Sequence, residues 1–248
     1  MLAPKMRGRR LFRFFSDVKW AEAFLEEGSM LFHSLAYFRD YEDGEIRGDR
    51  NEGTVIMRPP AGLQGYNRTQ RRPFFMPDAA FESPANAGEI FVYCTSKSDN
   101  EEKRRRFRAV ACIEILDAKA FCRRVQRELP NCSRFGGRPG HKRIGQHVEY
   151  YEVTEVGNRR WALPDVIASS KLDSYRWQDE FRLVFSFTDA LDFEKVQPRI
   201  VRGASKRAPN PAEHHSHPLK IGSVGDIAIL HKVAISLTAS FHSHNSAG

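Results

Sequence analysis

The sequence is poor in cysteine: Cys94, Cys112, Cys122 and Cys132 include no CxxC pair, and three of them sit in apolar runs (VYC, VAC, AFC). That pattern excludes a disulfide framework and offers no zinc-ligand spacing, so reduced, buried thiols are expected. No stretch approaches the ~20 apolar residues of a membrane span. The opening segment MLAPKMRGRRLFRFF is basic but lacks an apolar region followed by small residues. No secretory signal is read there, and the protein is expected in the cytoplasm. A GxSxG elbow is missing, which removes the argument for Ser-His-Asp catalysis. Internal repeats and a linker are missing too, so residues 1–248 are read as one domain.

What the sequence does have is apolar bulk and positive charge. Hydrophobic residues make up 41% of 248, enough to bury a core without metals or cross-links. Lys and Arg number 39 against 31 Asp and Glu, a formal +8. Such an excess says nothing about fold, but it points to polyanionic partners: nucleic acid, nucleotides or other phosphates.

Along the chain, RLFRFF (10–15) reads as a strand. From Asp17 the period changes: Val18, Ala21, Phe24 and Leu25 share a helical face, with Ser16 as cap and Gly28 as stop. MLF (30–32) is a short apolar segment, SLAYFRDYED a short helix, 42–53 a loop and TVIM a strand. Residues 59–88, with five prolines and no sustained period, predict a long exposed loop. EIFVYCT (89–95) and AVACIEIL (109–116) read as strands around a charged segment. Asp117 opens a helix that Pro130 stops. HVEYYEV and FRLVFSF alternate as strands, 199–218 is a second exposed loop, HKVAISL a last strand and 240–248 a flexible tail. Strands outnumber helices and do not alternate with them, which gives the α+β class.

Three segments combine into a candidate site. Arg13, inside a strand between large apolar neighbours, can grip a phosphate bidentately. Thr95 and Ser96, with Ser98 beyond, end the strand IFVYC, where hydroxyls can orient a carboxylate or a ribose. Gln178 and Glu180 flank Asp179 just before FRLVFSF, and alternation puts both on one side. A glutamate there can stabilise a developing oxocarbenium ion; the plainer reading is a surface carboxylate paired with Arg182 or Arg176.

Together these segments resemble the ADP-ribosyltransferase pattern of an early-strand arginine, a mid-chain Ser/Thr cluster and a late Gln-x-Glu. The resemblance implies a strongly bent, largely antiparallel sheet, a split β-sandwich, with a few flanking helices. It also implies NAD as the cofactor substrate, Arg13 on the dinucleotide, Thr95 and Ser96 supporting the site, Glu180 activating NAD and Gln178 helping to select the acceptor. More broadly, LFRFF, SLAYFRDYED, RGDRNEG, YCTS and WQDEFRLVF are similar to segments of uncharacterised bacterial and phage proteins, some linked to abortive infection. An intracellular toxin or phage-defence effector acting on nucleic acid is the implied role.

Two rival readings stand beside it. Arg47, Asp49, Asn51 and Glu52, with Glu42 and Asp43, could present oxygen ligands to Mg²⁺ in a nuclease. Basic runs containing Arg71 and Arg72, and Arg104, Arg105 and Arg106, could instead track a phosphate backbone without catalysis, with Phe107 stacking on bases. The histidines His214, His215 and His217, in a Pro/Ala loop, are not read as a metal site. His141 and His147 are possible bases with no nucleophile nearby in sequence.

Overall fold

The structure, a computed structural model, describes residues 9–39, 49–137, 142–155, 159–202 and 214–232. The first strand, β1 (Leu11–Phe15), is the expected apolar run. In α1 (Val18–Glu27) the helical face buries Ala21 and Phe24. Its cap is Asp17 rather than Ser16: Asp17 has the extended backbone a cap requires, and its carboxylate accepts from the Lys19 amide. Gly28 ends the helix at φ 64°, a left-handed turn. A Cβ there would also lie 2.4 Å from the Gly222 carbonyl oxygen, so conformation and space both require glycine.

Next come β2 (Ser29–Ser34), α2 (Leu35–Arg39) and β3 (Thr54–Met57). Residues 59–88 depart from expectation. Instead of a long loop they form β4 (Leu63–Asn67), β5 (Arg72–Met76) and β6 (Ala79–Pro84). Pro73 sits in a two-stranded hairpin whose strands are both edges, and Pro84 closes β6, so neither interrupts a central ladder.

After β7 (Ile90–Ser96) the charged segment is itself helical: α3 (Glu101–Arg106), with the Asn100 side chain accepting from the Lys103 amide. Then follow β8 (Ala111–Ile115) and the expected helix α4 (Ala118–Glu128), capped by Asp117. HVEYYEV splits into β9 (Gly145–His147) and β10 (Glu149–Tyr151), because the two halves pair with different strands. The rest is α5 (Pro164–Ile167), β11 (Ser170–Leu172), β12 (Glu180–Ser186), β13 (Arg199–Arg202), β14 (Ser216–Lys220) and β15 (Ala228–Lys232). The predicted loop 199–218 therefore begins and ends in strands; its middle, and the predicted tail 240–248, lie outside the described residues.

These elements make an α+β domain with a largely antiparallel sheet, as the sequence implies; among the described strands only β10 and β11 pair in parallel. The main sheet runs β14-β2-β7-β1-β8-β15, with β12 along the other edge of β7 and β9 beyond it. One edge of β7 is thus shared by two strands. β2 joins it at Phe91 and Val92, β1 only at Ser96, and between them the sheet forks. Alternation sorts the core: Leu183 and Phe185 pack with Phe24, Phe32 and Phe121 on one face, Val184 with Ile90, Val92 and Leu35 on the other. No helix among the described residues is long and apolar enough to cross a membrane.

Candidate functional site

A cleft opens at the fork. Its interior space is about 120 Å³, close to the roughly 150 Å³ known to hold one benzene ring. That is room on the order of one small ring, so a dinucleotide would have to extend through the mouth. Arg13, Thr95, Ser96, Gln178 and Glu180 all line this cleft. Four elements deliver them, from positions about 80 residues apart: β1, the end of β7, the 3-10 turn Asp173–Gln178 and the start of β12.

Arg13 lies in the gap between the prongs. Its guanidinium carbon is 4.6 Å from the centre of the Tyr93 ring, and Nη1 donates to the Cys94 carbonyl at 2.6 Å. That carbonyl belongs to the stretch of β7 with no strand on this edge. The Arg13 Nε is buried with no hydrogen-bond partner, and no carboxylate pairs with this guanidinium among the described residues. A guanidinium without a counter-ion has the charge and the donor geometry to take an anion.

Glu180 is set differently. Its carboxylate is buried, Oε1 3.1 Å from Lys171 Nζ and Oε2 2.9 Å from Arg182 Nε. Burial alone would raise its pKa, but the two cations outweigh that and hold it at about 2. Arg182, 1% exposed, also makes a bidentate pair with Glu52 (2.6 and 2.9 Å) and donates to the Ala168 carbonyl at 2.6 Å. Lys171 donates to Gln178 Oε1 at 2.7 Å, fixing that amide beside Glu180. Glu180, Lys171 and Arg182 thus form the floor, with Glu52 buried behind them. Its sequence signal was weak: Arg182 was visible as a partner of Glu180, but nothing along the chain announced Lys171 or tied Glu52 to the same spot.

The hydroxyl cluster acts on backbone, not on the carboxylate. Thr95 Oγ1 donates to the Phe181 carbonyl at 2.9 Å, and Ser96 Oγ lies 2.8 Å from the Gln178 carbonyl. Lys103 is buried, and its Nζ reaches Ser96 Oγ at 3.0 Å and Ser98 Oγ at 2.6 Å. Burial lowers its pKa despite nearby Asp179. Asp179 sits between the two site residues in a left-handed conformation (φ 49°, ψ 51°), tied to Ser98 at 2.6 Å and Lys97 at 2.9 Å. The clamp aims Gln178 and Glu180 into the cleft from either side of a turn few residues adopt.

The basic residues go elsewhere. Arg71 and Arg72 are exposed at the β4–β5 hairpin, and Arg104, Arg105 and Arg106 lie on α3; none of the five lines the cleft. Arg104 is paired with Asp99, while Arg106 pairs with Glu102 and covers the Trp177 ring. Phe107 does line the cleft, stacked on Phe14 with centroids 5.2 Å apart.

The acidic constellation also resolves differently from a metal loop. Glu52 is committed to Arg182, and Asp49 is buried with its pKa raised to about 6, first by burial and then by Glu52. Glu42, Asp43 and Arg47 lie outside the described residues, as does His141. Among the described residues no three His, Cys, Asp or Glu side chains gather as a metal site. His214 meets the edge of Tyr37, His217 packs against Phe91, Phe185 and Phe187, and His147 contacts Arg9. Compared with protein families, curated proteins and solved structures, the chain matches none.

Proposed function

We propose that the chain is an enzyme of the ADP-ribosyltransferase type, which takes NAD at the fork and transfers ADP-ribose to a nucleic acid or another anionic partner. The observation that carries this reading is the convergence of Arg13, Ser96, Gln178 and Glu180 on one cleft from widely separated parts of the chain. In this reading the interior holds the nicotinamide ring, and Arg13 takes the diphosphate with the donors it does not spend on Cys94.

Glu180 then faces the ribose. Lys171 and Arg182 offset much of its field, so its contribution is a fixed, ionised acceptor for a ribose hydroxyl rather than a bare charge. That hydrogen bond strengthens as positive charge develops at the anomeric carbon, which is where the rate gain arises. The Gln178 amide, oriented by Lys171, is placed to meet the incoming acceptor. A toxin or phage-defence role fits such an activity.

The test is incubation of purified protein with labelled NAD and with oligonucleotides, with and without chelator. NAD consumption that falls about 100-fold or more in a folded Glu180→Gln variant supports the reading. Turnover preserved in that variant removes Glu180 from the mechanism. Nucleic-acid cleavage abolished by chelator, without NAD, replaces the reading with a nuclease. Salt-dependent binding without turnover replaces it with a binding protein.

A further inference from the structure

Arg13 and His33 belong to the two strands that part at the fork, and both side chains line the cleft. His33 stands opposite Val92, at the last paired position before β2 leaves β7. Its ring is clamped: stacked on Tyr37 at 3.9 Å between centroids and 10° between planes, with Phe38 against it edgewise. Nδ1 shares a 2.8 Å hydrogen bond with Ser216 Oγ. Nε2 has no hydrogen-bond partner among the described residues, which makes it the nitrogen for a ligand.

The groups facing this imidazole are few. β1 contributes Arg13, α2 contributes Tyr37 with His214 behind it, and β14 contributes Ser216 between His215 and His217. Among the described residues Arg13 is the charge that acts on this ring, and Glu180, which lines the same cleft, is taken up by Lys171 and Arg182. We propose that Arg13 and His33 clamp one phosphate group across the fork, and that His33 binds it as the imidazolium, so that ligand binding takes up a proton.

The physical case is one of cancelled fields. Burial, and then the Arg13 charge, push the His33 pKa down to about 4, so without an anion the imidazole is neutral at pH 7. An anion on Arg13 removes the second cause and supplies Nε2–H with an acceptor. The proposal rests on the NAD reading only for the identity of the ligand; the chemistry is shared by any phosphate or sulfate anion.

Two probes separate the clamp from the dinucleotide. His33 imidazole resonances, assigned with His33→Gln, are titrated from pH 3 to 8 alone, with inorganic sulfate, and with ADP-ribose. The anions should raise the pH at which His33 protonates by about one unit, a tenfold gain in proton affinity. Arg13→Gln should protonate at higher pH without any anion and show no response to sulfate. If that variant does not fold, Arg13→Lys should keep the low protonation pH and respond to sulfate less than wild type. An identical titration with and without both anions in folded wild-type protein overturns the clamp. A response to sulfate but not to ADP-ribose keeps the clamp and takes the dinucleotide out of it.

Discussion

Arg182 and Glu52, 130 residues apart in sequence, face each other as a bidentate buried ion pair with contacts of 2.6 and 2.9 Å. Neither charge has water to fall back on. Glu52→Ala should destabilise the fold by about 3 to 5 kcal/mol, because it leaves two buried cations, Arg182 and Lys171, to share Glu180 alone. Urea denaturation of the variant measures this; a loss below about 1 kcal/mol would show that water or another group replaces the carboxylate.

Asp49 and Glu180 titrate in opposite senses. The Asp49 pKa is raised from 3.8 to about 6, so the folded state holds that proton more tightly than the unfolded chain. Its favourable contribution is complete below about pH 4 and is lost as pH rises through 6. Asp49→Asn should therefore stabilise the protein at pH 7, by at most about 3 kcal/mol, and hardly at all at pH 4. Glu180, lowered from 4.5 to about 2, stabilises above pH 4.5, and that contribution disappears as pH falls through 2. Melting temperatures of wild type and Asp49→Asn across this range check both signs.

Asp179 combines a left-handed backbone with ties to Lys97 and Ser98. Asparagine tolerates that conformation and valine does not. Asp179→Val should cost about 1 to 3 kcal/mol, and Asp179→Asn clearly less. Equal losses in thermal unfolding would assign the effect to the carboxylate charge rather than to the turn.

Gly28→Ala is the corresponding test at α1. A β-carbon there meets the Gly222 carbonyl oxygen at 2.4 Å while the backbone stays at φ 64°. Left-handed strain alone costs about 1 to 2 kcal/mol, and the contact adds to it. Chemical denaturation showing less than about 1 kcal/mol would mean that the segment around Gly222 gives way.

Local signals were the legible part of this chain. Gly28 and Pro130 marked helix ends, Asp117 marked a start, and the alternation of FRLVFSF marked β12. Where two local signals competed, tertiary context decided. Prolines in 59–88 suggested a loop, yet Pro73 fits an edge strand, Pro84 the end of β6, and Pro59, Pro60 and Pro77 the turns between strands. The run EEKRRR read as a charged segment between strands, yet Asn100 caps it into α3 and Lys103 turns inward to the serines. At the site, Arg13, Ser96, Gln178 and Glu180 were findable because each sits at a strand or turn where its chemistry shows. Lys171, Glu52 and His33 were not. Glu52 and His33 meet partners distant in sequence, and Lys171 meets Gln178 and Glu180 across an irregular turn; no periodicity encodes either.

The floor of the cleft has one consequence for how small this protein can be made. Arg182 on a central strand draws its main counter-ion from the segment just before β3, so a fragment starting beyond residue 52 would carry a caged guanidinium without its match. Cleavage in that region also parts β1 and β2 from the rest of their sheet, so it should yield insoluble material rather than a trimmed domain.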